Sequence, residues 1–319
     1  MHKDEQSRKL ERLRRHLEDG TTDLSPHSLK VPASHYTSEA QNALEIELMF
    51  KQRPLLVALT PHIPNQGDYL THEAIDISLL LVRDRDDKAR AYINACRHRG
   101  ARLVEGKGHK ASFSCTFHAW NWGLDGKIIA RPNSHEGFAA ADDCFDRLVE
   151  LPCYEIAGLI FVLLEGEDIE SKVHALMGAS LLDIENYNIS ETKYIDSRTT
   201  ELACNYKFFL DGFAETYHIA SLHKETISPF YYSNSTLVDQ LGEVVHLVSP
   251  RKTIDKEFEK TQSEQGAILP YCTTEYLLAP NVLLTHQVDH IQFWTAYPVD
   301  GANRCRIELN VFWPNPMDD

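Results

Sequence analysis

The side chains with the most chemistry to offer stand in two short motifs, Cys96-Arg-His98 and, after sixteen intervening residues, Cys115-Thr-Phe-His118. Two thiolates and two imidazoles, paired two by two, make a four-ligand metal site. Structural zinc normally shows Cys-x2-Cys in at least one half of its site, whereas here both halves mix the ligand types. A [2Fe–2S] cluster with two Cys on one iron and two His on the other accepts this set, each motif offering one ligand to each iron. Neutral imidazoles in place of anionic thiolates raise the potential of such a cluster above that of an all-cysteine one. A zinc-bound binding protein is the alternative, and it would be colourless where the iron–sulfur protein is red-brown.

A second group lies in the stretch from Asn205 to His223, which holds Asp211, Glu215, His218 and His223. Glu215 and His218 are three apart and share a face of any helix. His223 is five beyond His218, about 140° further round at 3.6 residues per turn. The two imidazoles therefore converge only if the helix bends or ends between them. Two imidazoles plus a carboxylate form the facial triad of non-haem Fe(II) oxygenases, which keeps positions open for O2 and substrate. A His-Glu-x2-His metalloprotease motif does not fit, because Ile219 follows His218. Alone, two His near one Glu are more often ordinary surface or core residues; the metal motif earlier in the chain turns that balance.

The elements that position these groups follow from composition and pattern. The 319 residues suggest roughly two domains, and 43% hydrophobic with 25% charged residues excludes disorder and a disulfide mini-protein. The longest apolar runs, 54–59, 77–82 and 159–164, are far short of the ~20 residues of a membrane helix and read as buried strands. The charged N-terminus shows no secretory signal, so a cytoplasmic protein with reduced thiols is expected, and the odd count of seven Cys favours metal ligation over disulfides. A net charge of −15 disfavours nucleic acid and reads as solubility, with an acidic face for a basic redox partner as the sharper alternative.

Residues 3–19 read as a solvated surface helix with Leu10, Leu13 and Leu17 at helical spacing, and 38–51 as a second helix. From about 53 to 165 short strands alternate with Gly, Pro and Asp turns, an all-β unit that places both Cys-x-His motifs after strand-like runs. Gly100, Gly106 and Gly108 free the backbone there, and Trp120 and Trp122 are positioned to pack on the loops. A helix near 168–180, a strand ending near Cys204, a helix from Tyr206 to His223 and an antiparallel meander from 273 to 314 complete the chain.

The stretch from 67 to 120, with CRHRG at 96–100 and CTFHAW at 115–120, resembles the Rieske motif of bacterial ring-hydroxylating oxygenase large subunits. The 205–223 stretch resembles the catalytic helix of the same family, Asn-Trp-Lys followed by Asp/Glu-x2-His-x4-His, with Tyr206 in place of Trp. The resemblance implies an α+β chain: an all-β Rieske [2Fe–2S] domain at 38–166 inserted in a helix-grip catalytic domain, to which the helix and linker at 1–37 and the mononuclear iron region at 167–319 belong. It makes Cys96, His98, Cys115 and His118 cluster ligands, and His218 and His223 ligands of a mononuclear Fe(II). Glu215 becomes the bridge between the Rieske centre of one subunit and the catalytic iron of the next, and Asp211 a residue lining the site. Most members carry Asp at the bridge and a minority, including enzymes acting on carnitine, carry Glu; one residue does not fix the substrate.

The family's third iron ligand is an Asp on a C-terminal helix beyond the meander. This sequence ends at WPNPMDD, so a truncated or naturally short chain is expected, without that closing helix. Asp289, Glu308, Asp318 and Asp319 are acidic but carry no motif, and no third ligand is assigned. Phe213, Tyr231, Tyr232, Phe293 and Trp294 are pocket candidates, with plain core packing as their alternative. The implied activity is that of a terminal oxygenase in a homotrimer. It takes electrons from NAD(P)H through a separate reductase or ferredoxin. With O2 it hydroxylates or oxidatively demethylates a small organic, expected to be aromatic. The alternative is a Rieske electron-transfer protein with an inactive second domain; about three iron atoms per chain identify the first and about two the second.

Overall fold

The computed structural model describes residues 1–133, 145–261 and 264–314; Cys144, Asp318 and Asp319 lie outside the described residues. The chain forms two compact units, one of residues 46–173 and the other of 1–45 together with 174–319, so the first interrupts the second in sequence. Among the described residues, no helix is long and apolar enough to cross a membrane.

In the 46–173 unit the three apolar runs become strands β1 (Leu55–Leu59), β3 (Ile77–Arg83) and β11 (Leu159–Val162). All of β1 and β11 is buried, as continuous apolar runs require. β1 pairs with β11, and β11 with β10 (Cys153–Ile156). A five-stranded sheet runs in the order β5 (Lys107–His109), β2 (Asp68–Ala74), β3, β4 (Ala89–Ile93), β9 (Glu150–Leu151). The smallest sheet joins β6 (Phe113–Ser114), β7 (Asn121–Trp122) and β8 (Ile128–Ala130). Phe113, Tyr92 and Trp122 are fully enclosed in one core that also holds Cys96 and Cys115. Each such aromatic stabilises the fold by about 2–3 kcal/mol through burial. The core thus doubles as the floor of the motif loops.

The second unit is built on a seven-stranded antiparallel sheet in the order β12 (Lys193–Leu202), β18 (Cys305–Trp313), β17 (Ile291–Pro298), β16 (Val282–His286), β15 (Cys272–Leu278), β14 (Val244–Pro250), β13 (Leu237–Leu241). Because side chains alternate along a strand, β15 sends Thr274 and Tyr276 to one face and Thr273 and Glu275 to the other. On the first face the Tyr187 hydroxyl meets the hydroxyls of Thr274 and Tyr276 at 3.0 and 2.9 Å. His246 stacks on Tyr276 there and His286 on Tyr187, at 4.3 and 4.4 Å between ring centres. Burial holds these imidazoles at about 3 and about 4, so both are neutral packing groups.

Two elements differ from the sequence expectation. The helix Lys3–Asp19 is no solvated surface helix: Leu10 and Leu13 are buried beside Leu237 and Val248 of the sheet. Its Lys9 and Arg12 both pair with Asp239 on β13, which fixes the helix against the sheet edge. The expected helix from Tyr206 to His223 is in pieces, a helix at Tyr206–Asp211, irregular backbone at 212–218, and one turn of helix at Ile219–Leu222. Gly212 weakens the helix interior. The Glu215 carboxylate accepts the His218 backbone N–H at 3.1 Å, an alternative to the helical ladder.

Candidate metal centres and the adjoining cavity

The two Cys–His loops repeat one backbone design. In each, the Cys carbonyl accepts the amide four residues on, Gly100 at 2.8 Å and Ala119 at 2.9 Å. In each, the Cys amide donates to the carbonyl five residues on, Ala101 and Trp120, both at 2.8 Å. The residue after the turn is left-handed in both loops, Gly100 at φ +71° and Ala119 at φ +57°. β4 leads into the first loop, and the β6–β7 hairpin, with Phe113 opposite Trp122, carries the second.

This design turns the thiols inward and the imidazoles outward. Cys96 and Cys115 are only 2% and 4% exposed, while His98 is half-buried and His118 exposed. The imidazoles of His98 and His118 lie 4.5 Å apart between ring centres. Burial pushes the Cys96 thiol up, opposed by the His98 backbone N–H and reinforced by the Cys115 thiol. The Trp122 Nε1–H is buried without a hydrogen-bond acceptor among the described residues. Trp120 stacks flat on His98 at 4.8 Å and 6°, and fixes its ring plane. Burial and then His118 lower the His98 pKa, which favours the neutral imidazole that metal ligation needs. Two adjacent buried thiols, two adjacent imidazoles and a buried indole donor in the same core fit a two-iron cluster.

The second centre gathers around the one-turn helix. His218 precedes it and His223 follows it, with their rings 5.3 Å apart between centres. The splay of an unbroken helix is avoided because the helix ends at residue 222. Backbone hydrogen bonds hold both ends: the His218 carbonyl accepts the amides of Ser221 and Leu222, and that of His223 accepts Thr226, Ile227 and Ser228. Glu215 Oε1 meets His218 Nδ1 at 2.5 Å. That contact assigns the proton to Nδ1 and leaves Nε2 for a metal, the usual carboxylate–histidine arrangement. Burial alone would raise Glu215, but the hydrogen bonds from the His218 side chain and backbone outweigh it and hold the carboxylate below its usual range.

Among the described residues no three His, Cys, Asp or Glu side chains converge on one metal position. Asp289 pairs with His290 at 2.7 Å, and Glu308 accepts from Asn310 at 3.1 Å. Asp211 accepts the Tyr36 hydroxyl at 2.6 Å and does not line the cavity beside the His pair.

That cavity, of about 480 Å³, is bounded by His218 and His223 on one side and by the polar face of the sheet on the other. Of the aromatic candidates, Phe213, Tyr231 and Trp294 line it. Tyr232 instead bonds Asp255, and Phe293 is buried in the core. Sequence reasoning missed the sheet's own contribution, Ser249, Thr273, Glu275, Thr285, Gln287 and Gln292. Their signal was polar residues at alternate positions of otherwise apolar strands, with Glu275 opposite Thr285 and Thr285 opposite Gln292 in register.

Two family models match the chain, the "Rieske [2Fe-2S] domain" over residues 54–155 and the "Ring hydroxylating alpha subunit (catalytic domain)" over 185–317. The chain belongs to the Rieske-type ring-hydroxylating oxygenase alpha subunits. These Rieske oxygenases include the carnitine monooxygenase oxygenase subunit of Escherichia coli K12, 32% identical over 219 residues, 68% of this chain and 56% of that protein. The glycine betaine monooxygenase oxygenase subunit of Pseudomonas aeruginosa is 26% identical over 202 residues, 63% of this chain and 46% of that one. A crystal structure of the quaternary ammonium Rieske monooxygenase CntA with L-carnitine shares the fold at a TM-score of 0.74 and 21% identity, over 90% of this chain and 76% of that one. The chain spans about half the length of the curated relatives it matches. These relatives are named for carnitine and glycine betaine.

Proposed function

We propose that the chain is the terminal oxygenase of a multicomponent system that hydroxylates or oxidatively demethylates a small amine or quaternary ammonium compound. Cys96, His98, Cys115 and His118 hold the Rieske cluster, and His218 and His223 hold a mononuclear iron. When bound, the cluster relays single electrons and the Fe(II) activates O2. A separate reductase or ferredoxin drawing on NAD(P)H supplies the electrons, and the working unit is a homotrimer.

The chain's own groups supply position and protons. Glu215 fixes the His218 tautomer and is the bridge through which the neighbouring subunit's cluster communicates with this iron. Hydrogen bonding through a carboxylate couples two imidazoles without a new ligand. Phe213 and Trp294 wall the cavity with apolar surface and displace water from beside the His pair.

The observation that carries this reading is the His218–His223 pair, with Glu215 on the Nδ1 side, opening into a cavity in a chain that also has the paired Cys–His loops. The quaternary ammonium class is supported by the names of the two curated relatives. Iron analysis of purified protein tests it: about three iron atoms per chain with a Rieske electron paramagnetic resonance signal are expected. A value of about two with the same signal indicates an electron carrier, and zinc without colour refutes both.

A further inference from the structure

On the sheet face opposite the His pair, Glu275 projects into the cavity from the middle of β15. It has no hydrogen-bond or ion-pair partner among the described residues, and burial is the sole cause acting on its proton affinity. Directly across the ladder, Thr285 is 1% exposed and its hydroxyl is also without a partner. Among the described residues the cavity wall includes two carboxylates, Glu215 and Glu275, and no Lys or Arg. Glu215 is satisfied by His218. Arg251, on the neighbouring cavity, is committed to Gln287 and Tyr231 at 2.8 and 3.1 Å.

An unpartnered carboxylate recessed in an apolar-walled cavity is costly unless something that enters pairs with it. The same cavity presents Phe213, Tyr231 and Trp294, with Phe213 and Trp294 packed 5.6 Å apart between ring centres. Aromatic faces around a carboxylate attract a cation that cannot donate hydrogen bonds, such as a quaternary ammonium. The polar row is also misplaced for a purely apolar ring, which would leave Glu275 and Thr285 desolvated and unpaired.

We propose that Glu275, with Thr285 beside it and the three aromatic rings of the same cavity, forms the subsite that holds a cationic ammonium group of the substrate in this cavity. The proposal rests on the amine reading of the function and names the residue that selects for it. Glu275 is here a specificity residue, not a ligand of the iron.

Calorimetric titration of the iron-loaded protein with choline and with 3,3-dimethylbutan-1-ol, its uncharged carbon isostere, tests this without turnover. Wild type should prefer choline by on the order of 10- to 100-fold. Glu275→Gln should erase that preference while its affinity for the isostere changes less than about threefold. Glu275→Asp, which keeps the charge one methylene further back, should retain part of the preference and serves if the Gln variant does not fold. Thr285→Val should lower choline affinity by only a few-fold. An unchanged preference in Glu275→Gln overturns the proposal, and so does a fall from about three to about two iron atoms per chain, which makes Glu275 a metal ligand. Iron content and the Rieske signal of the wild type decide the oxygenase reading separately, so the two can fail independently.

Discussion

The Cys96 and Cys115 loops close with the same pair of backbone hydrogen bonds, each running from the Cys to the fourth and fifth residues beyond it. The stretch from Glu215 to His223 has no internal repeat; it relies on a carboxylate, one helical turn and a carbonyl that gathers three amides. In the first region local turn geometry positions each Cys–His pair, and a shared core with Trp122 and Phe113 holds both loops. In the second, two imidazoles meet only because a helix stops where the chain could have continued it. A centre of the first kind is robust to its surroundings, whereas one of the second kind is open to adjustment by its neighbours. Glu215 is half-exposed and the adjoining cavity has polar groups to spare.

Substitutions that remove a ligand should separate the regions most sharply. His98→Ala is expected to abolish the Rieske signal in electron paramagnetic resonance with loss of the red-brown colour, and an unchanged spectrum would remove His98 from the ligand set. His223→Ala should leave that spectrum intact, lower iron to about two atoms per chain, and cut oxygenase turnover by roughly 1000-fold or more. Loss of the Rieske signal in that variant would show that the two regions do not stand separately.

Glu215→Gln should be milder, because an amide still occupies the place of the carboxylate. Both metals should stay bound while turnover falls about 10- to 100-fold, in the range typical of groups that orient a metal ligand. Loss of mononuclear iron would instead make Glu215 a ligand.

The cavity carboxylate has a pH signature. Burial raises Glu275 to about 7, so the folded chain binds this proton more tightly than the unfolded one. Its ionisation therefore costs stability as pH rises from the ordinary carboxylate range toward 7, a cost that a bound cation offsets. Choline affinity should increase roughly tenfold between pH 6 and pH 8 as the carboxylate charges. Glu215, His218, His223 and Tyr231 also face this cavity, so the control is Glu275→Gln, in which the rise should vanish.

The smallest effect probes the repeated loops themselves. Gly100 has open space where a Cβ would go, so Gly100→Ala meets only the left-handed φ of +71°. It should cost about 1 kcal/mol, seen as a thermal midpoint lowered by a few degrees. Ala119→Gly relieves the same conformation at φ +57° and should shift the midpoint by less and not downward. A drop of many degrees in the second variant would mean that the loops are not equivalent.

Much of this was legible in residue order. The spacing of Cys96, His98, Cys115 and His118 pointed to a cluster site because two short loops leave few ways to arrange two thiols and two imidazoles. The runs at 55–59, 77–83 and 159–162 became buried strands because continuous apolar runs cannot face water. The helix Lys3–Asp19 was found but its environment was not, since Leu10 and Leu13 mark a stripe without naming what covers it. An end of the helix between His218 and His223 was required by their spacing, whereas the earlier break after Asp211, beyond which Glu215 captures the His218 amide, was not.

Sequence by itself determined the ligand chemistry and the strand pattern, because ligand types and period-two alternation are local properties of the chain. Only the tertiary structure decided which alternate residues of β14 to β17 share a cavity with the His pair. Cross-strand register put Glu275 beside Thr285, and Thr285 beside Gln292. A carboxylate one position along would have faced Tyr187 on the other side of the sheet. Register is set by the pairing of strands distant in sequence, so no reading of Glu275 in its own strand could show that it ends in the cavity without a partner.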